Sequence, residues 1–159
     1  MKIAIHIPEQ TLELLDDDGK PLRRYMVSTG ANGVGEEIGS FCTPRGKHVI
    51  RARIGAGQPE NAVFVKRRPT GEIYAPELGL QQPERDWILT RILWLSGRET
   101  GFNRLGKCDT MRRYIYIHGT PDSVSLDQPD SHGCIRMHNA DMIELFDIVP
   151  AGTEVEIFE

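Results

Sequence analysis

Cysteine is scarce in this chain. Its odd count of three (Cys42, Cys108 and Cys134) excludes a framework in which every thiol is paired within one molecule. An odd count suits a reducing compartment and leaves at least one thiol free. No apolar run reaches the ~20 residues that a membrane-spanning helix needs. Basic residues are also in the minority, with 19 Lys and Arg against 23 Asp and Glu, so the formal charge is −4. With no basic cluster to offset that balance, nucleic acid is excluded as a main partner. The remaining composition, 39% hydrophobic and 26% charged, is that of an ordinary globular protein. A chain of this length folds as one domain, residues 1–159, and buries roughly 70% of its unfolded surface.

The first residues of the sequence do not show the pattern of a secretory leader either. Met1-Lys2-Ile3-Ala4-Ile5-His6-Ile7 alternates at period two where a leader would carry a basic start, an apolar core and a small-residue cleavage site. It reads as a first strand, and the expected location is the cytoplasm. Removal of a leader would instead place the protein in the periplasm or outside the cell.

Period-two patterning continues along the chain. Leu12 and Leu14 belong to a second strand, Asp16-Asp17-Asp18-Gly19-Lys20 supplies turn chemistry, and a return strand runs from Leu22 to Thr29. Gly30 to Ser40 is a glycine-rich loop. Its G-x-x-G spacing lacks the lysine and helix start of a phosphate cradle, and no cofactor is expected. Thr43-Pro44-Arg45-Gly46 forms a turn before a strand over Lys47–Ile54, and Ala62–Lys66 is another. Trp87–Leu95 is compatible with a helix face through Ile88, Ile92 and Leu95, but its β-rich surroundings favour a strand. Met111–Ile117 is read as a strand with His118 where it ends. One helix is expected, N-capped by Asn139, with Asp141 in its first turn. Its apolar face is Met142, Leu145, Phe146 and Val149, and Pro150 and Gly152 stop it. Thr153–Phe158 closes the chain as a strand. Many short strands, one clear helix and no βαβ rhythm give a mainly β fold, a sandwich or barrel.

The chemistry concentrates in Ser131-His132-Gly133-Cys134-Ile135-Arg136-Met137 and, upstream, in Tyr114-Ile115-Tyr116-Ile117-His118-Gly119-Thr120. A free thiol has a pKa of roughly 8.5 and needs a base or cation to act as a nucleophile at neutral pH. His118 is the natural partner for Cys134, within hydrogen-bonding reach once the chain is folded. The polar flanks Ser131, His132, Arg136 and His138 suit an electropositive setting that lowers the thiol pKa. Gly133 permits a sharp bend that presents backbone N–H groups to a developing oxyanion.

Ser131-His132-Gly133-Cys134 with His118-Gly119 resembles the active-site pattern of the L,D-transpeptidase catalytic domain, also called the YkuD-type domain. Gln10 to Leu15, Val27-Ser28-Thr29-Gly30, Thr43-Pro44-Arg45-Gly46 and Val149-Pro150-Ala151-Gly152-Thr153 resemble further landmarks in the same order, so the likeness covers nearly the whole chain. The resemblance implies a β-rich fold with the cysteine loop next to the main helix. It implies that Cys134 is the nucleophile, that His118 takes its proton and that the Gly119 carbonyl orients the ring. The backbone N–H groups of Gly133 and Cys134 would form the oxyanion hole. His132, Arg136 and Ser131 would contact the substrate, with Arg136 suited to hold a carboxylate bidentately. A structural role competes for His132, and a salt-bridge or packing role for Arg136.

The implied activity is cysteine-dependent acyl transfer on peptidoglycan stem tetrapeptides or muropeptides, at the bond between a third-position diamino acid and the terminal D-Ala. A thioester on Cys134 passed to water makes an L,D-carboxypeptidase, and passed to an amine makes an L,D-transpeptidase. A cytosolic protein meets soluble precursors and recycled muropeptides, which favours water. Metal binding by His118, His132, Cys134 and His138 is a rival by residue type, but the paired C-x₂₋₄-C of structural zinc sites is missing. A non-catalytic module that grips wall peptides would have lost the thiol or the base, and both are present. Cys42 and Cys108 read as small buried hydrophobes without a role.

Overall fold

The computed structural model describes residues 1–159. Ten strands and two helices follow in the order β1 (Lys2–His6), β2 (Thr11–Leu15), β3 (Pro21–Ser28), β4 (Gly46–Ile54), β5 (Ala62–Val65), β6 (Arg68–Ile73), α1 (Pro76–Gln81), β7 (Ile88–Gly97), β8 (Tyr116–Gly119), β9 (Ile135–Met137), α2 (Asn139–Ile148) and β10 (Glu154–Phe158). The sheet runs β4-β10-β1-β2-β3-β9-β8-β7-β5-β6, and β4 also pairs with β7. That extra pairing closes eight strands into a barrel and leaves the β5–β6 hairpin projecting from β7. Closure removes the unpaired edges of the main sheet.

The alternating residues of β1 and β2 show how the sequence selects the inside. Ile3, Ile5, Leu12 and Leu14 are fully buried, and Met142, Leu145 and Phe146 of α2 join them in one core. Each such side chain contributes roughly 1.5–3 kcal/mol by leaving water. The mainly β architecture and the single main helix behind the cysteine loop are as expected from the sequence.

Four local expectations are corrected. Met111 to Tyr114 is a turn, so the strand begins at Tyr116 and His118 lies within it. The Asp109 carboxylate accepts the N–H groups of Leu105 (2.6 Å) and Arg112 (3.0 Å), and Tyr114 takes a φ of 57°, which a strand cannot accommodate. Asn139 is the first helical residue and does not cap; His138 is the N-cap residue and makes no side-chain cap. The Asn139 side chain accepts from Thr90 Oγ1 at 2.7 Å and donates to Asn61 Oδ1 at 2.9 Å, tying the helix to a bulge in β7. Helix α1 was not expected, although Pro76 at its start is a recognisable signal. Strand β6 was missed because Pro69 and Gly71 disguise an edge strand.

Candidate active site

Strands β8 and β9 are parallel neighbours, with Ile117 opposite Ile135 and His118 opposite Arg136. Parallel neighbours need a long return connection, and residues 120–134 supply it without a helix. Cys134 is the last residue of that loop. The same register carries His118, Tyr116, Cys134 and Arg136 on one face of the sheet, His118 diagonal to Cys134.

The loop is anchored by the sequence landmarks. Ser131 N–H donates to the Thr29 carbonyl (2.9 Å), Gly30 N–H to Thr43 Oγ1 (2.8 Å), and that hydroxyl to the Gly133 carbonyl (2.9 Å). Gly133 has a φ of 118°, and a Cβ there would meet the Cys42 carbonyl at 2.8 Å, so only glycine fits the bend. Ser131 is buried; its Oγ donates to the Cys134 carbonyl at 2.5 Å and accepts the Gly133 N–H at 3.1 Å. Ser131 therefore braces the loop through its hydroxyl. The Gly133 N–H, expected in an oxyanion hole, is already taken by that hydroxyl. The Cys134 N–H has no partner and remains the available donor.

The Cys134 sulfur is held between two backbone groups. It accepts the Tyr116 N–H at 3.3 Å and donates to the Tyr114 carbonyl at 3.4 Å. It makes no hydrogen bond to His118 in this resting arrangement, contrary to the sequence expectation. The expected lowering of the thiol pKa is likewise overturned. Burial pushes it up to about 12, Asp86 adds to the rise, and the Tyr116 N–H, Arg136 and Arg113 only partly offset it.

His118 is buried, with Nδ1 2.6 Å from the Gly119 carbonyl. A carbonyl only accepts, so the proton is on Nδ1 and the Nε2 lone pair is free. Burial lowers the imidazole pKa, opposed by Asp86 and the Gly119 carbonyl, so the ring is neutral at pH 7. Gly119 is required as glycine, because a Cβ would collide with Asn139 Oδ1 and lie 2.7 Å from the Leu89 carbonyl.

His132 is exposed, edge-on to Phe41 at 5.8 Å and 3.9 Å from the Asp86 carboxylate. Arg136 is paired with Asp86 and Asp130, both at 3.3 Å, so its guanidinium is already matched by two carboxylates. The loop salt-bridge role weighed against carboxylate capture is the one seen here. His118, His132, Cys134 and His138 do not gather into one cluster of ligating side chains.

Cys134 opens onto a cavity of about 750 Å³. Sequence reasoning missed much of its wall: Lys66 and Arg67 from the β5–β6 turn, Asp86, and Arg112 and Arg113 from the turn ahead of β8. Arg113 is spent on structure, donating to the carbonyls of Gly35 (3.1 Å) and Cys42 (2.6 Å) and to Ser40 Oγ (3.2 Å). Ile38 and Phe41 bring the Gly30–Ser40 loop and the residue after it to the same cavity.

A closed β-barrel whose parallel β8–β9 pair presents a cysteine beside a backbone-oriented histidine defines a class of thiol acyl-transfer domain. The L,D-transpeptidase catalytic domain model, YkuD, matches residues 1–157, and the chain belongs to that family. It is similar to YkuD of Bacillus licheniformis, a candidate L,D-transpeptidase, with 50% identity over 159 residues covering 94% of each chain. A match to YkuD of Bacillus subtilis, 52% identical, extends over 46 residues, 29% of this chain and 28% of that relative. Among solved structures, L,D-transpeptidase 3 from Mycobacterium tuberculosis in complex with a faropenem-derived adduct superposes with a TM-score of 0.58 at 16% identity. That alignment covers 99% of this chain and 59% of the other, so this chain spans about six tenths of its length, and the likeness is one of fold.

Proposed function

We propose that the protein is a cysteine acyl-transfer enzyme that cleaves the bond between the third-position diamino acid and the terminal D-Ala of peptidoglycan stem tetrapeptides, with water as the acceptor: an L,D-carboxypeptidase acting in the cytoplasm. The observation that carries the reading is the pairing of a cavity-facing thiol with an imidazole whose Nδ1 is pinned to the Gly119 carbonyl and whose Nε2 is unengaged.

Both groups are neutral at rest, so the nucleophile forms only as it reacts. Rotation of the Cys134 side chain away from the Tyr114 carbonyl delivers its proton to His118 Nε2 while Sγ attacks the carbonyl carbon. The Cys134 N–H takes the developing oxyanion, an interaction worth roughly 3–4 kcal/mol of barrier. The tetrahedral centre collapses, the carbon–nitrogen bond breaks, and His118 hands its proton to the departing D-Ala amine, leaving a thioester. Water then attacks with His118 as base, releasing the tripeptide acid and restoring the thiol.

Charge in the cavity supports water over an amine. Four cationic side chains line it against the single carboxylate of Asp86, in a chain whose formal charge is −4. An acceptor amine arrives as an ammonium ion and meets repulsion, whereas water does not. A cross-linking L,D-transpeptidase is the second reading, favoured by Asp86, whose carboxylate lines the cavity and, although paired with Arg136, is the one anionic group there that could meet an ammonium.

Purified tetrapeptide, offered with and without an acceptor stem, separates the two. D-Ala and tripeptide alone are expected, and a stem dimer establishes the second reading. Cys134→Ala is expected to lower D-Ala release by ~10⁴-fold or more, while Cys42→Ala retains it; an active Cys134→Ala protein overturns the scheme. Faropenem is expected to leave its mass shift on the Cys134 peptide, and an adduct confined to another residue contradicts the assignment.

A further inference from the structure

Three arginines stand near Cys134, and they differ in what they already hold. Arg136 is bound by two carboxylates. Arg113 is bound by two carbonyls and a hydroxyl. Arg67 has no acidic partner. One of its nitrogens donates to the Tyr116 hydroxyl at 2.9 Å, and the guanidinium lies 4.9 Å from the Trp94 ring centre and 4.6 Å from that of Tyr114. Two aromatic rings and one hydroxyl hold this fork, Arg67 lines the cavity, and no carboxylate pairs with it.

The backbone beneath it is unusual. Val65-Lys66-Arg67-Arg68 is a two-residue hairpin turn in which Lys66 has a φ of 50° and Arg67 of 65°. Asn-Gly or Asp-Gly normally fills such a turn, because residues with a bulky side chain are strained there. The sequence keeps two long cations where glycine would relax the chain, and both line the cavity.

We propose that Arg67 is a specificity-determining residue that binds a free carboxylate at the far end of the substrate's third-position side chain. This rests on the stem-peptide reading above. Distance chooses which carboxylate. Tyr116 spans the gap, its backbone N–H on the Cys134 sulfur and its hydroxyl on Arg67. The terminal D-Ala carboxylate lies only a few bonds past the scissile nitrogen, on the sulfur side of the site, whereas Arg67 sits at the other end of the Tyr116 side chain. The end of a long third-position side chain has that reach. Diaminopimelate ends there in an ammonium and a carboxylate on one carbon. The carboxylate matches the planar fork in shape and charge, while Asp86 in the same cavity wall offsets the cations for the ammonium.

Three stem tetrapeptides test this on the full chain. They differ at position three, carrying 2,6-diaminopimelate, its amide at the far carboxylate, or lysine, which is diaminopimelate without that carboxylate. The expected result is a kcat/KM ~10–100-fold higher for the free carboxylate than for the amide or lysine, expressed mainly in KM. In Arg67→Gln that preference is expected to collapse to within a few-fold, and Arg67→Lys to restore part of it. Equal loss on all three stems in Arg67→Gln would show a structural role and overturn the proposal, as would an undiminished preference. The outcome that sinks the stem-peptide reading is different: no D-Ala release by the unaltered protein from any of the three.

Discussion

The barrel contains two buried histidines that begin alike and end differently. His48 points Nδ1 at the Gly46 carbonyl at 3.0 Å, as His118 points its own at Gly119 at 2.6 Å. Both rings are about 1% exposed, and burial lowers the pKa of both. They part at Nε2. His48 accepts a hydrogen bond there from Thr110 Oγ1 at 3.0 Å, so every polar atom of its ring is satisfied. His118 leaves Nε2 unengaged on the sheet face that carries Cys134. A ring with both nitrogens satisfied holds structure together; one with a single nitrogen fixed and the other open can move a proton.

The largest expected effects come from exchanging the two rings for inert ones. His118→Asn should lower D-Ala release by ~10³-fold or more while leaving thermal stability near that of the parent. His48→Ala should do the reverse, losing roughly 2–4 kcal/mol in denaturant unfolding through lost packing and two lost hydrogen bonds, with turnover of the folded fraction retained. A His118 variant that unfolds, or a His48 variant that folds and is inactive, breaks the contrast.

Gly119→Ala probes the orienting carbonyl next. The new methyl would meet Asn139 Oδ1 and the Leu89 carbonyl, both fixed. A loss of roughly 1–3 kcal/mol is expected, along with reduced activity, because the carbonyl that fixes the His118 tautomer must shift. Full activity in that variant would mean that His118 needs no backbone orientation.

How much of this was legible beforehand depends on where the signal is stored. The barrel strands were readable because a half-buried strand writes its inward face as every second residue, as Ile3, Ile5, Leu12 and Leu14 do. The residues Cys134, His118 and Gly119 were readable as a motif that resembles a family. The roles inside the loop were not. Ser131 and the Gly133 N–H are partners of one another, and a hydrogen bond between neighbours in sequence leaves no mark in residue spacing. Arg67, Asp86 and Arg113 come from three separate segments that only the folded sheet brings to one cavity. The direction of the thiol pKa is not legible in the flanking residues for a related reason: cations do line the cavity, but burial of the sulfur outweighs their pull.

pH sharpens the comparison further. Burial lowers the His48 pKa from 6.5 to about 4, against the opposing pull of the Gly46 carbonyl, Glu99 and Glu36. The unfolded chain therefore binds more protons than the native one between those values, and stability rises with pH across that window. The contribution is complete above about pH 6.5 and is lost as pH falls towards 4, by roughly 3 kcal/mol in all. His118 acts in the same direction. In His48→Gln the slope of unfolding free energy between pH 4 and 6.5 should flatten without vanishing, and an unchanged slope would show that His48 is not the group titrating.

The smallest effect tests whether satisfaction at Nε2 is what keeps His48 structural. Thr110→Val preserves shape and removes the hydroxyl that donates to that nitrogen, leaving a buried acceptor unpaired at a cost of about 1–2 kcal/mol. Thr110 is itself completely buried, so water does not readily replace the lost donor. Activity should be unaffected, because an unengaged nitrogen at His48 still has no thiol and no cavity wall of the Cys134 site beside it. The two histidines would then match in every hydrogen bond, and only their neighbours would differ. Loss of turnover in Thr110→Val at full folding would place His48 in the chemistry and undo the contrast between the two rings.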